Sequence, residues 1–336
     1  MRVRALVLAS GLLFASAETR SEDGSAAFRR GDYAAAAEAF AARAERGDAI
    51  AANNLGVLYL KGRGVAQDDA RARELFERAA AAEVPGAMFN LGMMHLRGYG
   101  QEVDTVAAAQ WFARAARAGD HEAQFHLALQ YVRGDGVKQD AAAARAWFDA
   151  AARGGLAGAQ FNLAMMMLQG DGGPADEPGA LAWLEAAAAQ DHPEARLHIA
   201  RAHLAHPDDP ARLAQAAGIL RELADGGDGQ AQTQLGVMYT FGHGVPADPE
   251  EGRFWLRQAA LHGVREAQLN LGTLYARGIG TPEDPVQAWA WLSLAADGDH
   301  AIAARAQAEV AERLDAAALA RARDEAARLR EALGAP

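Results

Sequence analysis

Apolar residues in this chain recur on two periods at once. Over short windows they fall three and four positions apart, the spacing of one face of an α-helix. Over the whole chain they recur every 36 residues, with Leu55, Leu91, Leu127, Leu163, Ile199, Leu235 and Leu271 in register. A period of this length marks an array built from one supersecondary unit. The residue after each of these positions is Gly or Ala: Gly56, Gly92, Ala128, Ala164, Ala200, Gly236 and Gly272. Four places on stand Tyr59, Tyr131, Tyr239 and Tyr275, with His95, Met167 and His203 in the other copies. Together these predict a first helix with one apolar face and a small residue that admits a neighbouring backbone.

A G-x-G follows in six of the seven copies, beginning at Gly62, Gly98, Gly134, Gly170, Gly242 and Gly278. The first glycine is expected to stop the helix in a left-handed conformation, and the second to keep the loop flexible enough to turn back. Asp68, Asp104, Asp140, Asp176, Asp248 and Asp284 then stand where a second helix needs its N-cap, and Pro249 and Pro285 follow two of them in the favoured N1 place. The second apolar run carries Trp111, Trp147, Trp183, Trp255 and Trp291, with Leu75 and Ile219 substituting, and closes on an Ala-Ala pair such as Ala115 and Ala116. The tryptophans and the alanine pairs are expected to face back onto the first helix and onto the next unit.

One copy departs. At residues 203–213 the chain reads HLAHPDDPARL, with His206 and Asp208 in the glycine places and Arg212 in the aspartate place, yet the spacing of 36 is kept on both sides. His203 and His206, at i and i+3 with Asp208 or Asp209 nearby, are lesser candidates for a metal site, since the ligand set is incomplete and His198 falls off their face. The simpler expectation is a proline-stiffened turn in which Asp208 or Asp209 caps a helix opening at Pro210. That makes this unit an irregular joint between an apolar wall before it and a more polar wall that begins with Arg196 and Arg201.

Segments such as AQFHLALQYVRGDGVKQDAAAARAWFDAAARGG (123–155) and AQLNLGTLYARGIGTPEDPVQAWAWLSLAADG (267–298) resemble the Sel1-like repeat family, relatives of the tetratricopeptide repeat. The resemblance covers about residues 51–299 and implies an all-α fold: a right-handed α-solenoid superhelix of about seven 36-residue repeats. The degenerate unit at about 193–228 is the sixth when the half-matching unit within 18–50 is counted; there Phe40, Ala44 and Gly47 fall in phase. Residues 300–336 are expected to form capping helices over the last apolar face.

The resemblance also implies a partner-binding wall on the first helices. Carried onto this sequence it comprises Phe89, Phe125 and Phe161 two places before the repeat leucine, and Met93, Leu129 and Met165 two places after it. Asn54, Asn90, His126, Asn162, His198 and Asn270 stand one place before it, and Arg97, Arg133 and Arg277 six places after it. An apolar strip bordered by amides and arginines suits an extended peptide or a helix. The competing reading packs the phenylalanines between adjacent first helices and spends the amides on local backbone groups.

Composition narrows the rest. Apolar residues make up 51% of the chain, mostly alanine, and aromatics only 7%, which favours closely packed helices over sheet. The opening MRVRALVLASGLLFASA has two arginines, an apolar run and an A-x-A ending at Ala17, the three-part pattern of a cleavable signal peptide over residues 1–17. Cysteine is absent, and the formal net charge of −11 becomes −13 without Arg2 and Arg4, which argues against nucleic acid and anionic lipid as main partners.

No nucleophile sits in a catalytic setting: beyond residue 17 the serines are Ser21, Ser25 and Ser293. Because the glycine pairs recur with the repeat they read as turns, not phosphate loops. Methionines at Met88, Met93, Met94 and Met165 to Met167, near His95, could suit a soft metal. Several replace Leu, Ala or Tyr of other copies, so they read as gap-filling core. The expectation is a non-enzymatic periplasmic scaffold or regulator without cofactor that binds an envelope protein or peptide and inserts in no membrane once its leader is removed. Two alternatives stay open: a cell-envelope hydrolase or peptidoglycan-binding protein, and a secreted factor that binds a host protein.

Overall fold

The computed structural model describes residues 24–297 and 300–334, and all regular structure among them is α-helical. The segment expected to be a signal peptide, residues 1–17, lies outside the described residues. Contacts divide the chain into two compact units, Met1–His192 and Pro193–Pro336.

The first unit opens with α1 (Ser25–Arg29) and α2 (Tyr33–Glu45). Four hairpins follow: α3 (Ala49–Lys61) with α4 (Asp69–Ala81), α5 (Pro85–Arg97) with α6 (Thr105–Arg117), α7 (His121–Arg133) with α8 (Ala141–Arg153), and α9 (Ala157–Gln169) with α10 (Glu177–Ala188). The second unit has three: α11 (Ala195–Leu204) with α12 (Pro210–Asp225), α13 (Gly229–Phe241) with α14 (Pro249–Leu261), and α15 (Arg265–Arg277) with α16 (Pro285–Ala296). It closes with α17 (Ala301–Ala311) and α18 (Ala316–Leu333).

The turn between the helices of a hairpin is built as the pattern predicts at its two ends. Gly62, Gly98, Gly134, Gly170, Gly242 and Gly278 end the first helices with φ between 62° and 77°. Each aspartate cap accepts the N–H three residues on, as Asp68 does from Arg71, Asp140 from Ala143 and Asp284 from Gln287. Such a cap contributes about 1 kcal/mol. The middle of the turn differs from expectation. The second glycine is not a flexible link: its φ is also positive, 63° to 72°, and its bare α-carbon presses on a helix of the preceding repeat. Gly64 abuts the backbone of Tyr33, Gly136 that of Thr105, Gly172 that of Ala141, Gly244 that of Leu213 and Gly280 that of Pro249. A methyl group there would strike a carbonyl, so the glycine sets how closely one hairpin stacks on the next.

The core of each hairpin also corrects the sequence reading. The fully buried seat belongs to the residue after the tryptophan position: Phe76, Phe112, Phe148, Leu184, Leu220, Leu256 and Leu292 are all at most 1% exposed. These side chains lie over the small residue of the first helix. A β-carbon on Gly56 or Gly92 would come within 2.7 or 2.6 Å of the rings of Phe76 and Phe112, and one on Gly236 or Gly272 within 2.7 Å of Leu256 and Leu292. Trp111, Trp147 and Trp183 are left half-buried beside that seat, while Trp255 and Trp291 are buried.

Polar side chains missed by the sequence reading stitch one hairpin to the next. Gln124, Gln160, Gln232 and Gln268 donate from Nε2 to the carbonyls of Ala116, Ala152, Ala224 and Ala260, satisfying end groups of the helix before. Arg73, Arg145 and Arg253 reach forward to carbonyls of the following G-x-G turn, at Tyr99, at Asp171 and Pro174, and at Gly280.

The irregular unit has the substitute cap the sequence suggests. Asp209, not Asp208, caps α12 by accepting from the N–H groups of Ala211 and Arg212 ahead of which Pro210 stands at N1. The division between the two compact units falls at the start of this repeat. At the far end Ala326, Leu329 and Leu333 of α18 pack with Trp291 and Leu294 of α16, and Arg330 holds Asp297 and the Ser293 hydroxyl. These helices therefore cover the last hairpin.

Gly136→Ala is expected to lower the unfolding free energy by about 2 kcal/mol or more, from left-handed strain plus overpacking. Gly119→Ala, at φ 88° with open space beside it, is expected to lose only the strain. Urea titration of both checks this; equal losses would contradict the stacking role.

Candidate functional site

The first helices α3, α5, α7 and α9 of the first unit lie side by side, and their inner side chains touch. Asn90 Nδ2 donates to Asn53 Oδ1 at 2.9 Å, joining α5 to α3. The His126 ring on α7 lies 5.6 Å from that of Phe89 on α5 and stacks on Phe112 at 5.3 Å and 19°. This surface holds eleven expected partner-binding residues, and the structure separates them into two groups.

Phe89, Asn90 and Met93 do not form an accessible strip. They are at most 1% exposed, covered by their neighbours, and so belong to the core. Phe89 is covered by His126, whose imidazole packs against it and against Phe112, and Asn90 is held by Asn53. Phe89 thus packs between first helices, as the competing reading has it. Asn162 likewise spends its amide locally, donating to the Gly158 carbonyl at 2.7 Å.

Phe125, Leu129, Phe161 and Met165, with His126 and Asn162, remain half-buried, and Arg97 and Arg133 are exposed. Phe125 rests on Phe148 at 5.7 Å and edge-on against His126 at 5.7 Å. It stays partly open because the next repeat offers it Gly158, where even an added methyl would stand 3.6 Å away, and no imidazole at residue 162. Phe161 stacks on His192 at 4.6 Å. The accessible apolar strip thus lies on α7 and α9, one repeat shorter than the sequence suggests.

Arg97 and Arg133 bring positive charge to the strip. Burial, and then the charges of Arg97 and Arg133, push the His126 pKa down to about 4, so its ring is neutral. Both guanidinium groups are therefore close to one imidazole. Among the described residues neither makes a hydrogen bond or ion pair, and Asp135 in the adjacent turn does not pair with Arg133.

Other candidate chemistry is thinner. His95 faces an open cleft of about 400 Å³ lined by Gln101, Glu102, Asp104 and Thr105, and its Nδ1 lies 2.7 Å from Gln101 Nε2. Burial lowers its pKa. No group of three His, Asp or Glu side chains able to hold a metal occurs among the described residues, so His203 and His206 lack the further ligand the spacing called for. They instead belong to a run of turns: the His206 N–H donates to the His203 carbonyl and the Asp209 N–H to that of His206. In the second unit Arg196 pairs with Glu222, Arg201 bonds Gln230, and Arg277 is exposed beside half-buried Asn270.

Stacked helix hairpins with a repeat-aligned wall define a helical-repeat protein. The chain belongs to the Sel1 repeat family, which matches residues 49–84, 85–120, 121–156, 157–192, 229–264 and 265–300. That is 216 of 336 residues, and the gap is the irregular unit. Among solved structures the chain is similar to a protective antigen of uropathogenic Escherichia coli displaying an SLR fold. Identity there is 28% and the TM-score 0.58, covering 92% of this chain and 75% of that one. It is also similar to a Sel1 repeat protein from Oxalobacter formigenes, with 30% identity and a TM-score of 0.58 over 86% and 87% of the two chains. No curated protein matches. Sel1 repeats generally mediate protein–protein interaction and typically act as scaffolds. No helix among the described residues is long and apolar enough to cross a membrane.

The His126 pKa gives a pH test. Free His titrates near 6.5, so between about 6.5 and 4 the unfolded chain takes up a proton that the folded chain refuses. The stability carried by neutral His126 is full above pH 6.5 and is lost as pH falls towards 4. The melting-temperature gap between the protein and His126→Asn should therefore shrink between pH 7.5 and 4.5. A constant gap would contradict the buried neutral ring.

Proposed function

We propose that this protein is a non-enzymatic interaction scaffold of the bacterial cell envelope, exported by its residues 1–17, that holds an extended segment of a partner protein along the inner wall of its first unit. The observation that carries the reading is the partly open strip of Phe125, Leu129, Phe161 and Met165 on two adjacent first helices, flanked by Arg97 and Arg133. A globular protein leaves such aromatic side chains half-covered at a cost, and an apolar strip with a polar rim is the form of a peptide groove. Membership of the Sel1 repeat family supports a protein partner. The A-x-A ending at Ala17 and the absence of cysteine support an exported chain whose fold needs no oxidation.

The test is photo-crosslinking in envelope extract. Phe125→Ala with Phe161→Ala is expected to keep the helical circular dichroism of the parent and to lose about nine-tenths or more of the crosslinked partner, as removal of two aromatic anchors implies. Unchanged crosslinking by a folded double variant would remove the strip from the function. The mature N-terminus is expected at Glu18, in the periplasmic fraction.

A further inference from the structure

We infer that the strip selects an acidic segment, one with carboxylates three residues apart, whose side chains pair with Arg97 and Arg133 while the apolar residues between them pack on Phe125 and Leu129. The inference rests on the scaffold reading above and adds the chemistry of the partner.

The charges themselves point this way. The chain carries 44 acidic and 33 basic residues, and some of its arginines pair with acids, as Arg71 does with Glu74, Arg114 with Glu83, Arg153 with Asp149 and Arg313 with Glu283. Arg97 and Arg133 do not pair, although acids are in excess, and the repeat sets them one above the other. Lys61 holds the same place one repeat earlier, and the column ends at Gln169 one repeat later. A basic residue in the last turn of a helix is favoured by the helix dipole. That accounts for each position alone but not for two successive rungs, Arg97 and Arg133, that both go without a carboxylate. The two cations also stand near His126, whose pKa is lowered first by burial and then by their charges. Such charge, unbalanced within the fold, is complementary to a partner's anions.

The geometry sets the spacing. Helices of successive repeats that touch through their side chains stand about 8–10 Å apart, and a polyproline II chain, with three residues per turn and every third side chain on one face, advances about 9 Å per turn. A carboxylate at every third residue therefore meets successive rungs of the column, and each guanidinium can take its carboxylate through two parallel hydrogen bonds. The residues between fall over the half-open rings of α7 and α9.

The probe is a fluorescein-labelled peptide, Gly-Glu-Leu-Pro-Glu-Leu-Pro-Glu-Gly, titrated by anisotropy into the full chain beside its glutamine counterpart. The glutamate peptide is expected to bind at least about tenfold more tightly. Arg97→Gln with Arg133→Gln should abolish that difference, Arg97→Lys with Arg133→Lys should keep part of it, and Arg257→Gln, on α14, should leave it intact. Equal binding of the two peptides would overturn the acidic selection, and so would displacement by polyphosphate or heparin that ignores Phe125→Ala. No binding of either peptide up to roughly 1 mM would overturn it as well. The scaffold reading is judged separately, by crosslinking of the Phe125→Ala, Phe161→Ala variant.

Discussion

The contact on which the rest depends is made by an atom that is not there. Each second glycine of a G-x-G turn brings its bare α-carbon against the residue 31 places earlier, at the start of the preceding second helix, or a little inside α12 in the case of Leu213. With the glutamine and arginine bridges across the same seam, this fixes the rise and rotation of one hairpin on the next within each unit. Stability in such an array is a sum of hairpin and neighbour terms, so the seam is where a single added carbon does most harm. His206 and Asp208 stand in both glycine places of the irregular unit, which opens the second compact unit.

A fixed seam also explains how a functional surface arises without any special loop. Equivalent residues of successive hairpins are held in phase, so a cation six places after the repeat leucine becomes a column and an aromatic two places before it becomes a strip. The chemistry is then decided by small departures from the repeat. His126 closes the wall over Phe89, whereas Gly158 and Asn162 leave Phe125 partly open one step further on. Gln169 ends the cationic column.

What could be read from the sequence were the features fixed by local backbone chemistry. The aspartate caps, the left-handed first glycine and the proline at N1 need only a few consecutive residues to declare themselves, and the period repeats them until they are unmistakable. Features settled by contact between distant residues were not legible in the same way. Trp111 and Phe112 are neighbours on one apolar flank, and only the meeting of Phe112 with Gly92 decides which is buried. Phe89, Phe125 and Phe161 are equivalent by pattern, yet their exposure differs because the residues covering them come from the following repeat. The second glycine looked like slack because its partner lies 31 residues away. The recurring Ala-Gln pairs at residues 123–124, 159–160, 231–232 and 267–268 are the visible sign of the bridges, a polar recurrence on the same period as the apolar one.

Hydroxyl-radical footprinting of the full chain, with and without the glutamate–leucine peptide, tests the central claim most directly: that the half-open wall on α7 and α9 of the first unit is where a partner lies. The account predicts that Phe125, Phe161 and Met165 are oxidised in the free protein and protected in the complex, while Phe89 and Met93 stay unlabelled in both. Protection confined to the second unit or to α17 and α18, or labelling of Phe125 and Phe161 that the peptide leaves unchanged, would contradict it.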